Sequence, residues 1–310
     1  MTIQQLKYIV ALDNFRNFVK ASESCNVAQP TLTLQVKKLE DQIGLILFDR
    51  TSQPLKPTPL GKDFIKKSRD ILVLIDELKG TVNDEKTNMN GTFSIGIIPT
   101  LAPYLLPLFI KEFLEKHTQT KLKILELHSE DIIEKLEKQQ LDIGILATPL
   151  NEKNIIETPL FYEPFLVYTD NIKSITKGKN KISSEDLKPE GLWLLAKGHC
   201  FRDQMLKLCE LKRVEFERNI LMEGGSIETL KPLINKISGY TLIPELSYNE
   251  ATDKKHIVRF ESPEPVREIS IVTHKNFTKE ALITALRKSI LKHTPEAFKK
   301  NSRFVKINWR

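Results

Sequence analysis

The sequence has only three cysteines in 310 residues, none in a close C-x-x-C pair and with no paired histidines after them, so a zinc site is not expected. No apolar run approaches the roughly 18 residues of a transmembrane helix, and no membrane partner is expected. The opening Met1-Thr2-Ile3-Gln4-Gln5 lacks a charged stretch followed by an apolar one, so it does not read as a signal peptide. A cytoplasmic, reducing location follows, where a disulfide is more often transient than structural. Charge of one sign is also scarce where a nucleic-acid site would be sought. Residues 1–90 carry 13 Lys/Arg against 11 Asp/Glu, although the whole chain is at +7. Much of the excess lies at the end, in Lys288, Lys292, Lys299, Lys300, Arg303, Lys306 and Arg310 against Glu296. Charge alone therefore locates no DNA site. Hydrophobic residues make up 40% of the chain, which at this length supports two or three domains with real cores.

Two of the three cysteines fall close together, in Lys197-Gly198-His199-Cys200-Phe201-Arg202-Asp203-Gln204 and at Cys209. A thiol is reactive as thiolate, and Lys197, Arg202 or a protonated His199 would lower its pKa. Gly198 lets the backbone approach a small ligand. Met205, Leu206 and Leu208 would hold Cys209 away from solvent. A helix over 200–209 sets the two sulfurs on opposite faces, roughly 13 Å apart along the axis. A disulfide needs Cα atoms within about 7 Å, so bonding these two would require the segment to refold. Two buried, inert cysteines are the plain alternative, and the residues alone leave both readings open.

From the start, Ile3, Leu6, Ile9 and Val10 mark a helix over 2–12, and a second follows near 17–24. A third begins near Gln29, with Pro30 in its first turn, Leu32, Val36, Leu39 and Ile43 on its buried face, and Gly44 at its end. This is the helix-turn-helix plan. Its other face carries Gln29, Thr31, Thr33, Gln35 and Lys38, types that read bases or hold phosphates, although a solvated polar face would look the same. Phe48–Thr58 reads as a wing in which Arg50, Ser52 and Lys56 touch phosphate or the minor groove. A long helix runs from Thr58 to about Asp84. Its stripe Leu60, Phe64, Ile71, Leu74, Leu78 and Val82 is a dimerisation face. Polar residues 84–91 form a linker.

Beyond the linker, strand and helix alternate. Strands are predicted at 92–98, 122–127, 141–147, 163–168, 191–195, 216–222, 240–243 and 268–273. Helices are predicted at 103–116, 129–139, 202–211, 226–236 and 278–292. The fold class is thus an N-terminal winged helix-turn-helix (1–58), a linker helix and hinge (59–90) and a two-lobed α/β domain like periplasmic binding proteins (91–310). Lobe I is expected at 91–162 and 268–310, lobe II at 163–267. The tail after 299 is expected to be a solvated, partly disordered extension. Thr100 and Ser129 fall at carboxyl ends of strands, where ligands collect, although either could be a helix cap. Ser226, after Gly224-Gly225, reads as a cap.

Val27-Ala28-Gln29-Pro30-Thr31-Leu32-Thr33, Leu39-Glu40-Asp41-Gln42-Ile43-Gly44 and Leu47-Phe48-Asp49-Arg50 resemble the LysR-type transcriptional regulators. The α/β layout extends that resemblance over essentially the whole chain. Gly198–Gln204 with Cys209, Ile98-Pro99-Thr100 and Pro103-Tyr104-Leu105-Leu106-Pro107 resemble the hydrogen-peroxide-sensing branch of that family. Cys25 stands where that branch also has a cysteine, with no redox role assigned. The resemblance implies a DNA-binding activator of antioxidant genes that is not an enzyme and needs no cofactor. Cys200 would be the peroxidatic thiol and Cys209 the resolving one. Thr100, Ser129, Gly198 and His199 would bind peroxide, Arg202 and Asp203 would hold the loop, and Arg267 would lie near reduced Cys200. The branch has threonine where this chain has Ser129, so the methyl that fixes the rotamer is gone. The implied partners are a dyad-symmetric double-stranded operator, hydrogen peroxide, a second copy through 59–84 and a homotetramer beyond it. A thiol reductant such as thioredoxin or glutaredoxin, and RNA polymerase, complete the set.

Three other readings compete. A LysR-type regulator with a small-molecule effector in the inter-lobe cleft would leave Cys200 and Cys209 as packing residues. A thiol peroxidase with an added DNA-binding domain would need a dedicated reductant. A transport-type binding protein would need export, and the helix-turn-helix argues against it.

Overall fold

The computed structural model describes residues 1–80, 89–209, 226–299 and 304–310, with only the backbone given for 78–80. The chain divides into two units, Met1–Lys86 and Thr87–Arg310.

In the first unit, caps and buried stripes fix three helices. Thr2 and Gln5 form a capping box that starts α1 (Ile3–Phe15). Asn17 accepts from the amides of Val19 and Lys20 and starts α2 (Phe18–Ser24). The helix α3 (Gln29–Ile43) has Pro30 in its first turn and stops at Gly44, whose φ of +70° suits glycine. Leu6, Ile9, Leu12, Ala21, Leu32, Val36 and Leu39 close into one core. The wing is the antiparallel pair β1 (Phe48–Asp49) and β2 (Lys56–Pro57). Thr58 Oγ1 accepts from the Gly61 amide at 2.9 Å and caps α4 (Pro59–Gly80). Buried Arg69 ties α4 to α1, reaching Asp13 at 2.5 Å and Asn14 at 2.6 Å. Leu60, Ile71 and Leu74 of the predicted stripe are exposed. The Leu78 side chain, Val82 and linker residues 84–88 lie outside what is described.

The second unit starts with β3 (Gly91–Ile97), α5 (Ala102–Lys116), β4 (Thr120–Glu126), α6 (Ser129–Glu137) and β5 (Ile143–Thr148). Strand β3 lies parallel between β4 and β5. Then come β6 (Ile155–Thr169), α7 (Ile172–Thr176), β7 (Lys181–Ile182), α8 (Cys200–Leu208), α9 (Ile227–Ile237) and β8 (Tyr240–Pro244). The rest is α10 (Glu250–Asp253), β9 (Ile257–Phe260), β10 (Glu264–His274), α11 (Glu280–His293) and β11 (Phe304–Lys306). The long strands β6 and β10 pair antiparallel over most of their length. On one side β10 continues to β5; on the other β6 continues to β8 and β9. Two cores result. One gathers Ile95, Phe109, Ile132, Ile145, Phe161, Ile271 and Leu286; the other gathers Phe165, Val167, Leu194, Phe201, Leu230 and Leu242. Helix α6 approaches the sheet closely: a Cβ on Gly144 would lie 2.6 Å from the Ile132 side chain and 2.7 Å from Val272. That approach sets where Ser129, the first residue of α6, is placed.

Besides the short elements α7, β7, α10 and β9, which the sequence pattern did not predict, the structure departs from that pattern in three places. Strand β6 begins at Ile155 rather than Glu163, with a bulge at Leu160, next to Pro159, shifting its register on β10. Residues 191–195 make one bridge, Leu192 to Tyr240, rather than a strand. Arg202 takes the Leu195 carbonyl at 2.6 Å, and the segment turns away toward α8. The tail is not a solvated extension over 304–310. Strand β11 pairs parallel with β10, and Trp309 is buried with its indole N–H donating to the Ala147 carbonyl at 2.9 Å. The predicted strand at 216–222, Gly224, Gly225 and residues 300–303 lie outside what is described. Among the described residues, no helix is long and apolar enough to cross a membrane.

Candidate functional site

Cys200 is the first residue of α8 and Cys209 is its C-cap. All three cysteines are free. Cys200 and Cys209 are both buried, 3% and 8% exposed, and they belong to different cores. Burial pushes the Cys209 thiol up to about 12. The Cys200 thiol is also raised, and burial is again the largest cause. The Ser129 hydroxyl and then the Arg267 guanidinium pull it down, while Asp203 pushes it further up. The sequence expectation of a lowered thiol is therefore corrected for this state: desolvation outweighs the nearby positive charge. The cation that acts is Arg267. Lys197 is exposed, and Arg202 bonds the Leu195 carbonyl beside Asp203.

His199 supplies no charge either. Burial, and then the charge of His128, hold its imidazole down to about 4. The two rings meet edge to face with centroids 4.5 Å apart. Gly198, at φ +95°, turns the chain beside His128, with the position of a Cβ 3.9 Å from that ring. His128 Nδ1 and Ser129 Oγ are buried polar atoms without a hydrogen-bond partner of ordinary geometry among the described residues. Two adjacent orphans near a thiol leave hydrogen-bonding capacity for a small polar ligand.

Thr100 is placed differently. Arg267, fully buried, donates to Thr100 Oγ1 at 2.9 Å and to its carbonyl at 3.1 Å. The same guanidinium pairs with fully buried Glu163 at 2.8 Å, and Glu163 accepts the Leu246 amide at 2.9 Å. Phe201 lies under the guanidinium, 5.0 Å from its carbon, and stacks on Phe165. One ion pair thus joins β6, β10, the end of β3 and the start of α8.

In the first unit, Gln29, Pro30, Thr31 and Lys38 are exposed on α3. Gln35 is half-buried and accepts from Gln5 at 3.2 Å, while Thr33 turns its hydroxyl inward. Arg50 pairs with Glu40 at 2.7 Å, and Ser52 donates to Asp49 at 2.6 Å. Gln35, Arg50 and Ser52 therefore have internal partners in this state, and the buried Thr33 hydroxyl has none among the described residues.

Residues 3–62 match the bacterial regulatory helix-turn-helix proteins of the lysR family, and residues 86–295 match the LysR substrate binding domain. The chain belongs to the LysR family. Within it, the chain is of the OxyR type. It is 34% identical over 275 residues to the hydrogen peroxide-inducible genes activator of Haemophilus influenzae, covering 88% of this chain and 90% of that one. It is 33% identical over 276 residues to the DNA-binding transcriptional dual regulator OxyR of Escherichia coli, covering 88% and 89%. A full-length OxyR variant from Pseudomonas aeruginosa superposes with a TM-score of 0.79 at 30% identity, over 95% of this chain and 99% of that one. This LysR-family regulator therefore pairs a DNA-binding head with a two-lobed domain.

Sequence reasoning missed three residues at this candidate site. Glu163 had a signal: a lone carboxylate opening the apolar run Pro164-Phe165-Leu166-Val167-Tyr168 needs a buried partner. His128 had none, because its meeting with His199 depends on how two distant helix starts converge. Gln204 lies within the noted cysteine segment, but its partner is in the tail: its amide donates to the Ile307 carbonyl at 2.7 Å.

Proposed function

We propose that this regulator responds to hydrogen peroxide through a reversible disulfide between Cys200 and Cys209, and that the response switches antioxidant genes. The observation that carries this reading is the placement of Cys200 beside the buried Ser129 hydroxyl, with a second thiol at the far end of the same helix. The names of the peroxide-inducible activators similar to this chain support it.

The chemistry needs a thiolate made at the moment of attack, because the resting thiol is raised. Peroxide would occupy the space near Ser129 and His199, accepting from the serine hydroxyl. Neutral His199 would relay the thiol proton to the departing oxygen. Cys200 sulfur bonds one peroxide oxygen, the O–O bond breaks, and water leaves, giving a sulfenic acid. The Cys209 thiol then displaces that hydroxyl, releasing a second water and closing the disulfide. Gly198 gives the loop room, and Arg202 and Asp203 hold it. Thr100, whose hydroxyl accepts from Arg267, would keep its own proton to donate to peroxide. Thioredoxin, glutaredoxin or a similar reductant would reverse the bond by exchange.

The output is DNA binding rather than product. Gln29, Pro30, Thr31 and Lys38 would face a double-stranded, dyad-symmetric operator, with Arg50 and Ser52 on the wing. Thr33 and Gln35 would position α3. Exposed Leu60, Ile71 and Leu74 would pair two copies through 59–84, and two dimers would form a homotetramer that engages RNA polymerase. The proposed domains are the head at 1–58, the linker at 59–90 and the sensor at 91–310. Lobe I is proposed at 91–162 and 268–310, and lobe II at 163–267.

The burial of both thiols favours a second reading, in which a small-molecule effector is sensed and the cysteines only pack. Peptide mapping of reduced protein after a brief, near-stoichiometric peroxide pulse, beside a Cys209→Ser variant, separates the two. A native Cys200–Cys209 disulfide with a trapped sulfenic acid on Cys200 in the variant supports the redox reading. Two thiols still reduced after the pulse eliminate it.

A further inference from the structure

We propose that the C-terminal segment 304–310 is a strap that holds the thiol-bearing helix in its reduced shape, with Gln204 as the positioning residue through which it acts. The proposal rests on the redox reading above.

The strap is fastened along its length. Strand β11 pairs with β10, and the Ile307 amide continues that pairing by donating to the Val266 carbonyl at 2.8 Å. Ile307 packs against the core that holds Cys209, and Trp309 enters the core that holds Cys200. Arg310 closes the segment on Glu130 at 2.6 Å, Glu152 at 2.5 Å and the Leu150 carbonyl at 3.1 Å. Glu130 directly follows Ser129. Between these anchors, the Ile307 carbonyl takes the Gln204 amide. Gln204 is fully buried near the middle of α8, and its side-chain Oε1 has no partner among the described residues. Among the described residues, the hydrogen bond of the Gln204 side chain is the one to the strap.

That bond exists only while α8 is helical. Ends roughly 13 Å apart cannot join until the helix unwinds, and unwinding carries Gln204 away from Ile307. An interaction present in the dithiol form and absent in the disulfide form stabilises the dithiol. Stabilising the reduced form raises the reduction potential, so the strap makes the disulfide easier to reduce and sets a higher oxidant threshold. Loss of the Gln204 bond should shift the thiol–disulfide equilibrium toward disulfide by about tenfold, about 30 mV for this two-electron couple.

The test uses the full chain, Gln204→Met and Trp309→Phe singly and together, equilibrated in glutathione buffers, with thermal unfolding of each protein in both redox forms. Methionine keeps the volume and removes the donor; phenylalanine keeps an aromatic ring and removes the indole N–H. The expected result is a lower potential in each single variant, a less than additive change in the pair, and a fall in Tm confined to the reduced form. An unchanged potential with equal Tm losses in both forms overturns the strap, because a merely structural tail stabilises both. If the unsubstituted protein forms no Cys200–Cys209 disulfide in any buffer, the redox reading falls and the strap falls with it. A disulfide in the parent with unchanged variants removes the strap alone.

Discussion

Cys200 and Cys209 bound the same helix and pack into different cores, so a bond between them must withdraw at least one sulfur from its core. That helix has nine residues and begins at Cys200 itself. Oxidation should therefore cost helix rather than rearrange rigid bodies alone. Far-ultraviolet circular dichroism of the wild-type protein should lose about two turns of helix on a peroxide pulse and regain them with dithiothreitol. A spectrum unchanged by an oxidation that mass spectrometry confirms would mean that the sulfurs meet by some other route.

Ser129 is the nearest lever on Cys200 reactivity. Its hydroxyl has no partner of ordinary geometry, and it lowers the thiol's raised pKa. Ser129→Ala should push that thiol further up and slow sulfenic acid formation at neutral pH by about tenfold, the worth of one hydrogen bond to a charged group. Ser129→Thr restores the hydroxyl with a fixed rotamer and should react at least as fast as the parent. Alkylation rate against pH in a Cys209→Ser background reads both. Equal profiles for Ser129→Ala and its parent would leave Ser129 as a helix-start residue.

The DNA head and the α/β alternation were legible because local signals agree with the tertiary result. Pro30, Gly44 and Thr58 mark helix ends wherever the helices pack, and each marks one in the structure. The sequence marked Cys200, Cys209, His199 and Ser129 as candidates, but not the electrostatics around them. Lys197 and Arg202 flank Cys200 in sequence, yet the guanidinium that acts on it belongs to Arg267, brought in by β10. The tail was misread because its charges suggest solvation. Three of them, Lys299, Lys306 and Arg310, find carboxylates across the fold or along the chain. Its pairing with β10 is a long-range fact that no periodicity of so short a strand carries.

Arg267 and Glu163 form a fully buried pair, so removing one partner leaves the other charge uncompensated. Arg267→Met should destabilise the reduced protein by about 3–5 kcal/mol, more than removing both charges together in Arg267→Met with Glu163→Leu. Urea unfolding of the three proteins checks the order. Arg267→Met should also raise the Cys200 thiol, visible as slower alkylation. A single variant as stable as the parent would show that water reaches the pair.

On α3 the exposed residues divide into two kinds. Lys38, a cation, should act on phosphate: Lys38→Ala should weaken all sequences alike and reduce the salt slope of binding by about 1. Gln29 should read a base edge, so Gln29→Ala should cost about 1–3 kcal/mol on operator DNA and little on random DNA. Gln35→Ala should behave differently from both. Its side chain is tied to Gln5, so the loss should appear in stability of the head as well as in affinity. Fluorescence anisotropy at several salt concentrations separates the three. A Gln29→Ala loss that is equal on operator and random DNA would move that residue to the phosphate class.

His199 ties stability to pH with a definite sign. Its imidazole is held down to about 4 by burial and by His128, against an unfolded value near 6.5. Above about pH 6.5 the ring is neutral in both states and the folded protein keeps its full stability from this residue. As pH falls from there toward about 4, the unfolded chain binds a proton that the folded chain refuses, and stability drops. Other acidic and basic groups add their own slopes, so the residue is isolated by comparison. The difference in urea midpoint between about pH 7.5 and about pH 5 should shrink in His199→Gln relative to the reduced parent. An identical difference in both proteins would mean that His199 is not held neutral by the fold. The same variant should lose peroxide reactivity at neutral pH, where the neutral ring is the form able to accept the Cys200 proton.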